Sequence, residues 1–193
     1  MNGDGYSSVG VRPFIDRMDL SNLKTERLWQ ADGKTTHEEV RAILDVKKGT
    51  VLTRIQSQTD FPNYYLRNIY DNKEPVQVTF TENPFASLKE VDKEVIKYKR
   101  EDGLELSATL YLPANYDKES GVKLPMLMWA YPEEHKDKST ASQVTASEHE
   151  FVYPWYGSPV FWVNKGYAIL DDAAFPIVGE GETEPNDFFI GQL

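Results

Sequence analysis

The sequence predicts antiparallel β-sheet followed by an α/β sheet. Three observations support this prediction. Apolar and polar residues alternate in short runs, about ten residues apart and separated by polar turns, up to Thr81. A continuous apolar run then occurs at 124–131, "LPMLMWAY", and a second run with the pattern of a buried strand follows at 167–175, "YAILDDAAF". A helical pattern lies between these two runs, as in a strand–helix–strand unit with parallel strands.

Residues 1–81 contain the signals of short antiparallel strands. The segment 50–63, "TVLTRIQSQTDFPN", alternates cleanly, and Asp71-Asn72 is typical turn chemistry. The segment 37–49, "HEEVRAILDVKKG", fits a helix and a strand equally, because its central apolar residues have helical spacing. Regularly spaced strands with polar turns are typical of a meander, such as a blade of a β-propeller.

The pattern changes after a polar connector at 82–94. Residues 95–113, "VIKYKREDGLELSATLYLP", predict two strands joined by a turn at Glu101-Asp102-Gly103. The run 124–131 has the composition of a strand that is buried on both faces. The charged residues that follow it, "EEHKDK" at 133–138, predict a solvated loop.

The segment 158–166, "SPVFWVNKG", predicts the helix between the two apolar runs. Pro159 is tolerated in a first helical turn, and Gly166 suits a helix end. We therefore expect Leu124–Tyr131 and Tyr167–Asp171 to be adjacent parallel strands joined by a helix around Val160–Asn164.

The composition excludes several classes of function. There are 31 acidic and 21 basic residues, and a net charge of −10 disfavours binding to nucleic acid or to an acidic membrane surface. The absence of cysteine excludes disulfides, cysteine-based zinc sites and a cysteine nucleophile. No apolar run has the length of a membrane span. These features leave the cellular compartment undetermined.

Few motifs of catalytic chemistry are present. The G-x-S-x-G elbow of a serine hydrolase is absent. The histidines are His37, His135 and His149, and the last two flank a segment rich in glutamate. A metal site there is one interpretation, but no ligand spacing matches a known cage, so a solvated loop is favoured. The "GEGE" at 179–182 lacks the Gly-Lys-Ser/Thr of a phosphate-binding loop.

Tyr131 ends the first apolar run and has two interpretations. It is either an aromatic side chain packed at a strand end with a solvated hydroxyl, or a hydrogen-bond donor to an oxyanion. In α/β hydrolases one such donor comes from the loop after the third strand, and Tyr131 ends the third predicted strand of this sheet.

Three segments resemble the start of the catalytic domain in the prolyl oligopeptidase family of serine peptidases. They are "LELSATLYLPANYD" (104–117), "LPMLMWAYPEEHKDK" (124–138) and "GYAILDDAAFPIVGEGETEPNDFFIGQL" (166–193). The segment "FPIVGEGE" and the following "ND" are narrower and are similar to the glutamyl endopeptidase branch. The resemblance extends over 95–193 and, more weakly, over 11–81.

The resemblance implies a fold, a mechanism and a boundary for each domain. It implies the end of a β-propeller at 1–81, a connector at 82–94, and the N-terminal half of an α/β-hydrolase domain at 95–193. It also implies a Ser-Asp-His triad, with all three residues beyond Leu193, and Tyr131 as an oxyanion donor. The chain has Pro132 and Glu133 where the family usually has a small, glycine-rich turn.

The expected function is hydrolysis of peptide substrates, without a metal or an organic cofactor. The name of the branch implies cleavage after Glu, although no basic pocket is evident in the sequence. The alternatives are a carboxylic ester hydrolase on the same scaffold and a non-enzymatic, β-rich binding protein. Since the triad is missing, we expect this chain to be inactive by itself. We also expect it to self-associate or to bind the missing C-terminal part through exposed sheet.

Overall fold

A computed structural model describes residues 1–179 of the chain, which form two compact units. The first unit contains Met1–Tyr6, Gly10–Pro84 and His149–Phe151, and the second contains Ser7–Val9, Phe85–Glu148 and the described residues from Val152 onward. No helix among residues 1–179 is long and apolar enough to cross a membrane.

The chain up to Pro84 forms short strands joined by turns. Their bounds are β1 (Asn2–Gly3), β2 (Tyr6–Ser7), β3 (Gly10–Val11), β4 (Phe14–Met18), β5 (Thr25–Gln30), β6 (His37–Asp45), β7 (Thr50–Gln56), β8 (Asn63–Asn68) and β9 (Val76–Gln77). The order β1–β4–β5 makes a three-stranded sheet, and β6–β7–β8–β9 makes a four-stranded meander. All the pairings within these two sheets are antiparallel, as the alternation predicted.

The ambiguous segment 37–49 contains a strand and no helix. Its strand β6 pairs with β7 from His37 opposite Gln56 to Asp45 opposite Thr50. The register shifts twice along this pairing, once after Val40 and once after Ile43. Each such irregularity displaces the apolar residues from strict alternation, and this explains why their spacing in the sequence looked helical.

Within residues 1–179, the second unit contains strands, one short α-helix and three 3₁₀-helices. The strands and the α-helix are β10 (Asp92–Lys99), β11 (Glu105–Leu112), β12 (Met126–Met128), β13 (Pro132–His135), α1 (Lys138–Ala141), β14 (Ala168–Asp171) and β15 (Phe175–Val178). The 3₁₀-helices are Ala86–Leu88, Lys118–Ser120 and Pro159–Lys165.

The principal sheet of this unit has the order β10–β11–β14–β12. The predicted hairpin is confirmed, because β10 and β11 are antiparallel and Gly103 takes a positive φ of 83° in the turn between them. The predicted parallel pair is also confirmed, since β12 and β14 are hydrogen-bonded in parallel. β14 is antiparallel to β11, so the sheet is mixed.

The connection between β12 and β14 ends in the helix that the sequence predicted, but this helix is of the 3₁₀ type. It extends over Pro159–Lys165, and the Ser158 hydroxyl accepts a hydrogen bond from the Val160 amide at 3.3 Å. Gly166 ends it with a positive φ of 84°. The prediction from Pro159 and Gly166 is therefore correct in position, although the helix is more tightly wound.

One face of the principal sheet carries the core of the second unit. Its buried residues are Leu88, Val91, Tyr111, Val152, Val160, Val163 and Ile169. The 3₁₀-helix at 159–165 contributes two of these side chains, which explains its position against β14. The opposite face includes Ile96, Leu106, Met128 and Leu170 and lines an open groove of about 880 Å³.

Two sequence predictions in this unit are wrong. The run at 124–131 is not buried on both faces: Met126, Met128 and Trp129 are 55%, 65% and 56% exposed. Within residues 1–179, β12 is an edge strand with a neighbour on one side only, so its apolar side chains lack a covering layer. The charged segment after Tyr131 is not simply a loop, because its first part, β13, pairs in parallel with β15.

The assignment of the two parts to a propeller and an α/β-hydrolase domain stays a prediction at this point. The "GEGE" at 179–182 lies, apart from Gly179, outside the described residues.

Candidate functional site

Tyr131 lies between two parallel β-ladders. Both ladders pair the segment 126–135 with the segment 168–178. In the first ladder the Trp129 amide donates to the Leu170 carbonyl oxygen at 2.8 Å, and the Ala173 amide donates to the Trp129 carbonyl oxygen at 3.1 Å. The second ladder begins with Pro132 opposite Phe175. Tyr131 belongs to neither strand and occupies the short gap between them.

The Tyr131 side chain is 74% exposed and makes no hydrogen bond to the rest of residues 1–179. β12 and β14 run in parallel, so their carboxyl ends meet at one edge of the sheet, and Tyr131 follows β12 at that edge. In open α/β sheets this edge is where ligands bind. The structure therefore leaves a phenol hydroxyl unengaged at a position that suits a ligand.

The strand opposite Tyr131 breaks at Asp172. This residue has a φ of +50°, in the left-handed region that side chains other than glycine rarely adopt. Such a conformation costs about 1–3 kcal/mol and is concentrated at functional sites. Asp172 follows β14 directly, so the strained residue and Tyr131 lie at the same edge of the sheet.

Asp171, the last residue of β14, is a half-buried carboxyl group on the core side. Burial is the largest effect that raises the pKa of Asp171 above its ordinary value, and repulsion from Asp172 adds to it. A hydrogen bond from the Asp172 amide and the nearby Lys93 ammonium act in the opposite direction. The Lys93 ammonium is itself held by the Ser147 carbonyl oxygen at 2.9 Å.

Tyr131 lines a small cavity of about 60 Å³ together with polar side chains of several elements. Glu133 and His135 of β13 line it as well, with 3.7 Å between the His135 Nε2 and Glu133 Oε2 atoms. The lining also includes Ser107, Thr109, Thr140, Gln143, Thr145 and Asp172, among others. A phenol, an imidazole, two carboxylates and several hydroxyls thus meet in one place. We call this cavity the Tyr131 cavity.

The three histidines are distributed over the two units. His135 belongs to the second unit and His149 to the first. His37, also in the first unit, has its Nε2 atom 3.6 Å from a carboxylate oxygen of Glu150. Across residues 1–179, no group of three or more His, Asp or Glu side chains is arranged to hold a metal ion.

Sequence analysis named Tyr131 as a candidate site residue and did not group it with Glu133 and His135 of β13. The signal was the alternation Tyr131, Glu133, His135, because residues two apart point to the same side of a strand. It was not recognised because Glu and His are not favoured in strands, so the segment had the character of a loop.

The chain is similar along its whole length to two plant proteins described as probable glutamyl endopeptidase, chloroplastic. It is 40% identical to the protein of Oryza sativa subsp. japonica and 37% identical to that of Arabidopsis thaliana. Each alignment spans 201 residues and includes 100% of this chain and 21% of the relative. The chain therefore spans about a fifth of the length of the curated relatives that it matches.

Among solved structures, oligopeptidase B from Leishmania major is similar in fold. The TM-score is 0.55 at 12% identity, and the match includes 94% of this chain and 24% of that chain. At this identity the likeness concerns the fold alone. No family model matches the chain.

Proposed function

Because the chain belongs to the prolyl oligopeptidase family, in its glutamyl endopeptidase-like branch, we propose that it forms part of a serine peptidase. A serine attacks the carbonyl carbon of the peptide bond, a histidine takes the serine proton and later donates it to the leaving amine, and an aspartate orients the histidine. We expect these three residues in the part of the full-length protein that corresponds to the rest of the relatives, of whose length this chain spans 21%.

The position of Tyr131 is the observation that carries this proposal. Attack on the carbonyl carbon moves negative charge to the carbonyl oxygen, and the enzyme must place hydrogen-bond donors there before the reaction begins. The Tyr131 hydroxyl is exposed, unengaged by residues 1–179 and located at the carboxyl end of a parallel strand. It is thus available to donate a hydrogen bond to that oxygen.

The ladder between β13 and β15 holds the backbone directly after Tyr131. Pro132 pairs with Phe175, and the pairing continues to His135 opposite Val178. This ladder lies where the family usually has a glycine-rich turn after the tyrosine. A hydroxyl on a backbone held by ladders before and after it needs little reorganisation when charge develops nearby.

The two units correspond to the two domains of the family in this proposal. The second unit supplies the first half of an α/β-hydrolase domain, which is supported by the antiparallel hairpin and the parallel pair β12–β14. The first unit supplies the end of a β-propeller, which is supported by its four-stranded antiparallel meander, since propeller blades have four strands. A propeller would restrict access to short or unfolded peptides.

Purified full-length protein and the isolated 193-residue chain, compared in one assay, test the proposal. The full-length protein should hydrolyse peptide substrates, and a serine-directed reagent should label it and abolish hydrolysis. The isolated chain should neither hydrolyse the peptides nor react with the reagent. Mass spectrometry of the products would show whether cleavage follows Glu, and matched ester substrates would show whether peptides are preferred. Peptide hydrolysis by the isolated chain, or full-length protein that the reagent does not label, would contradict the proposal.

A further inference from the structure

Part of the polar lining of the Tyr131 cavity comes from Tyr131 and alternate residues of β13. Tyr131, Glu133 and His135 line it, whereas Pro132 and Glu134, which alternate with them, do not. Residues two apart in an extended strand are separated by about 7 Å. Glu133 is therefore one strand repeat away from Tyr131 and on the same side of the chain.

The charges around this cavity are negative. Its lining contains the carboxylates of Glu133 and Asp172 and, among the described residues, no lysine or arginine. The Glu133 side chain is 72% exposed, and its Oε2 atom lies 3.7 Å from the Nε2 atom of the less exposed His135 imidazole. A substrate carboxylate placed here would meet two like charges, whereas a substrate cation would meet two opposite ones.

We propose that Glu133 binds a positively charged group of the peptide substrate, next to the bond that is cleaved. The proposal rests on the proposed function, because Tyr131 marks the reacting carbonyl. The carboxylate is solvent-accessible and faces the same cavity as the proposed oxyanion donor. A substrate ammonium or guanidinium would pair with it and would also offset its repulsion of the developing oxyanion. Recognition of a substrate glutamate then belongs to a different part of the enzyme.

The chain contains a matched control for this proposal. Glu134 is the next residue of the same strand, is also an exposed glutamate, and does not line the Tyr131 cavity. Glu133→Gln and Glu134→Gln remove the same charge from neighbouring positions. Because both side chains are exposed, neither substitution should disturb folding.

The experiment uses the full-length protein, the two variants and a set of quenched fluorescent peptides. In one series of peptides the residue before the cleaved bond is varied, and in a second series the residue after it. The varied residue is Lys, norleucine or Glu. A second pair differs only in a free or an acetylated amino terminus, which separates a side-chain cation from a terminal ammonium. We expect wild type to prefer one of the cationic peptides by about two- to fivefold in kcat/KM, as for an exposed ion pair. Glu133→Gln should remove this preference, and Glu134→Gln should keep it.

Several results would overturn the proposal. One is a preference for the cationic peptide that persists in Glu133→Gln. Another is an equal loss of this preference in both variants, which would indicate an effect of the overall electrostatic field of the acidic surface. Tyr131→Phe in the same assay separates this proposal from the oxyanion role, since the charge preference should remain when kcat falls. If the protein hydrolyses no peptide, calorimetric titration with the Lys and Glu peptides decides instead, and equal affinity of wild type and Glu133→Gln for the Lys peptide would refute the role of Glu133.

Discussion

Tyr131→Phe in the full-length protein separates the two interpretations of this residue. Phenylalanine keeps the ring and its packing and removes only the hydroxyl group. That hydroxyl group makes no hydrogen bond to the rest of residues 1–179, and the side chain is 74% exposed. The free energy of unfolding should therefore change by no more than about 0.5 kcal/mol.

The expected effect on turnover is much larger. Loss of one preorganised oxyanion donor lowers kcat by about a hundred- to a thousandfold, or roughly 3–4 kcal/mol of barrier. The donor acts mainly in the transition state, so KM should change far less than kcat. Steady-state kinetics on a peptide substrate measure both constants, and denaturant unfolding checks that the variant is folded.

Tyr156→Phe is the matched control, because Tyr156 lies in the same unit, is 99% exposed and does not line the Tyr131 cavity. It should leave kcat unchanged. If Tyr131→Phe folds normally and turns over within about threefold of wild type, far short of the loss of an oxyanion donor, then Tyr131 is only an aromatic residue at a strand end.

Three further predictions concern stability and association. In the first unit, Glu38 accepts two hydrogen bonds from Arg67, at 2.6 and 2.8 Å. Glu38→Ala leaves this largely buried guanidinium unpaired and should lower the free energy of unfolding by about 3 kcal/mol; a loss below about 1 kcal/mol in denaturant titration would show that the pair behaves as an exposed one. In the second unit, hydrogen bonds from the Arg100 guanidinium hold the pKa of Asp102 well below its ordinary value. This carboxylate stabilises the folded state above about pH 4, the unfolded value, and its contribution is lost as the pH falls towards the lower folded value. Asp102→Asn should therefore weaken the acid dependence of the unfolding midpoint below about pH 4, and identical acid profiles would contradict this reasoning. Finally, the isolated chain should self-associate through its exposed edge strand β12, and Met128→Lys should reduce this association; light scattering that shows a monomeric wild-type chain at all concentrations would argue against it.

The sequence by itself determined the elements that depend on local signals. The hairpin at 92–112 follows from alternation and from Gly103 in its turn. The helix at 159–165 follows from a proline in its first turn and a final glycine. Because these signals act within a few residues, they need no knowledge of what packs around them. The family resemblance, confirmed by the plant relatives, also came from short segments of sequence.

Only the tertiary structure decided which apolar residues are buried and which polar residues meet. Burial depends on neighbours that are distant along the chain, so Ile169 at the centre of the sheet is fully buried while Met128 at its edge is exposed. The strand at 132–135 exists because it pairs with residues 175–178, about forty positions away, and its own residues do not favour a strand. That non-local pairing makes the segment a strand, and the alternation of a strand then places Glu133 on the same side as Tyr131.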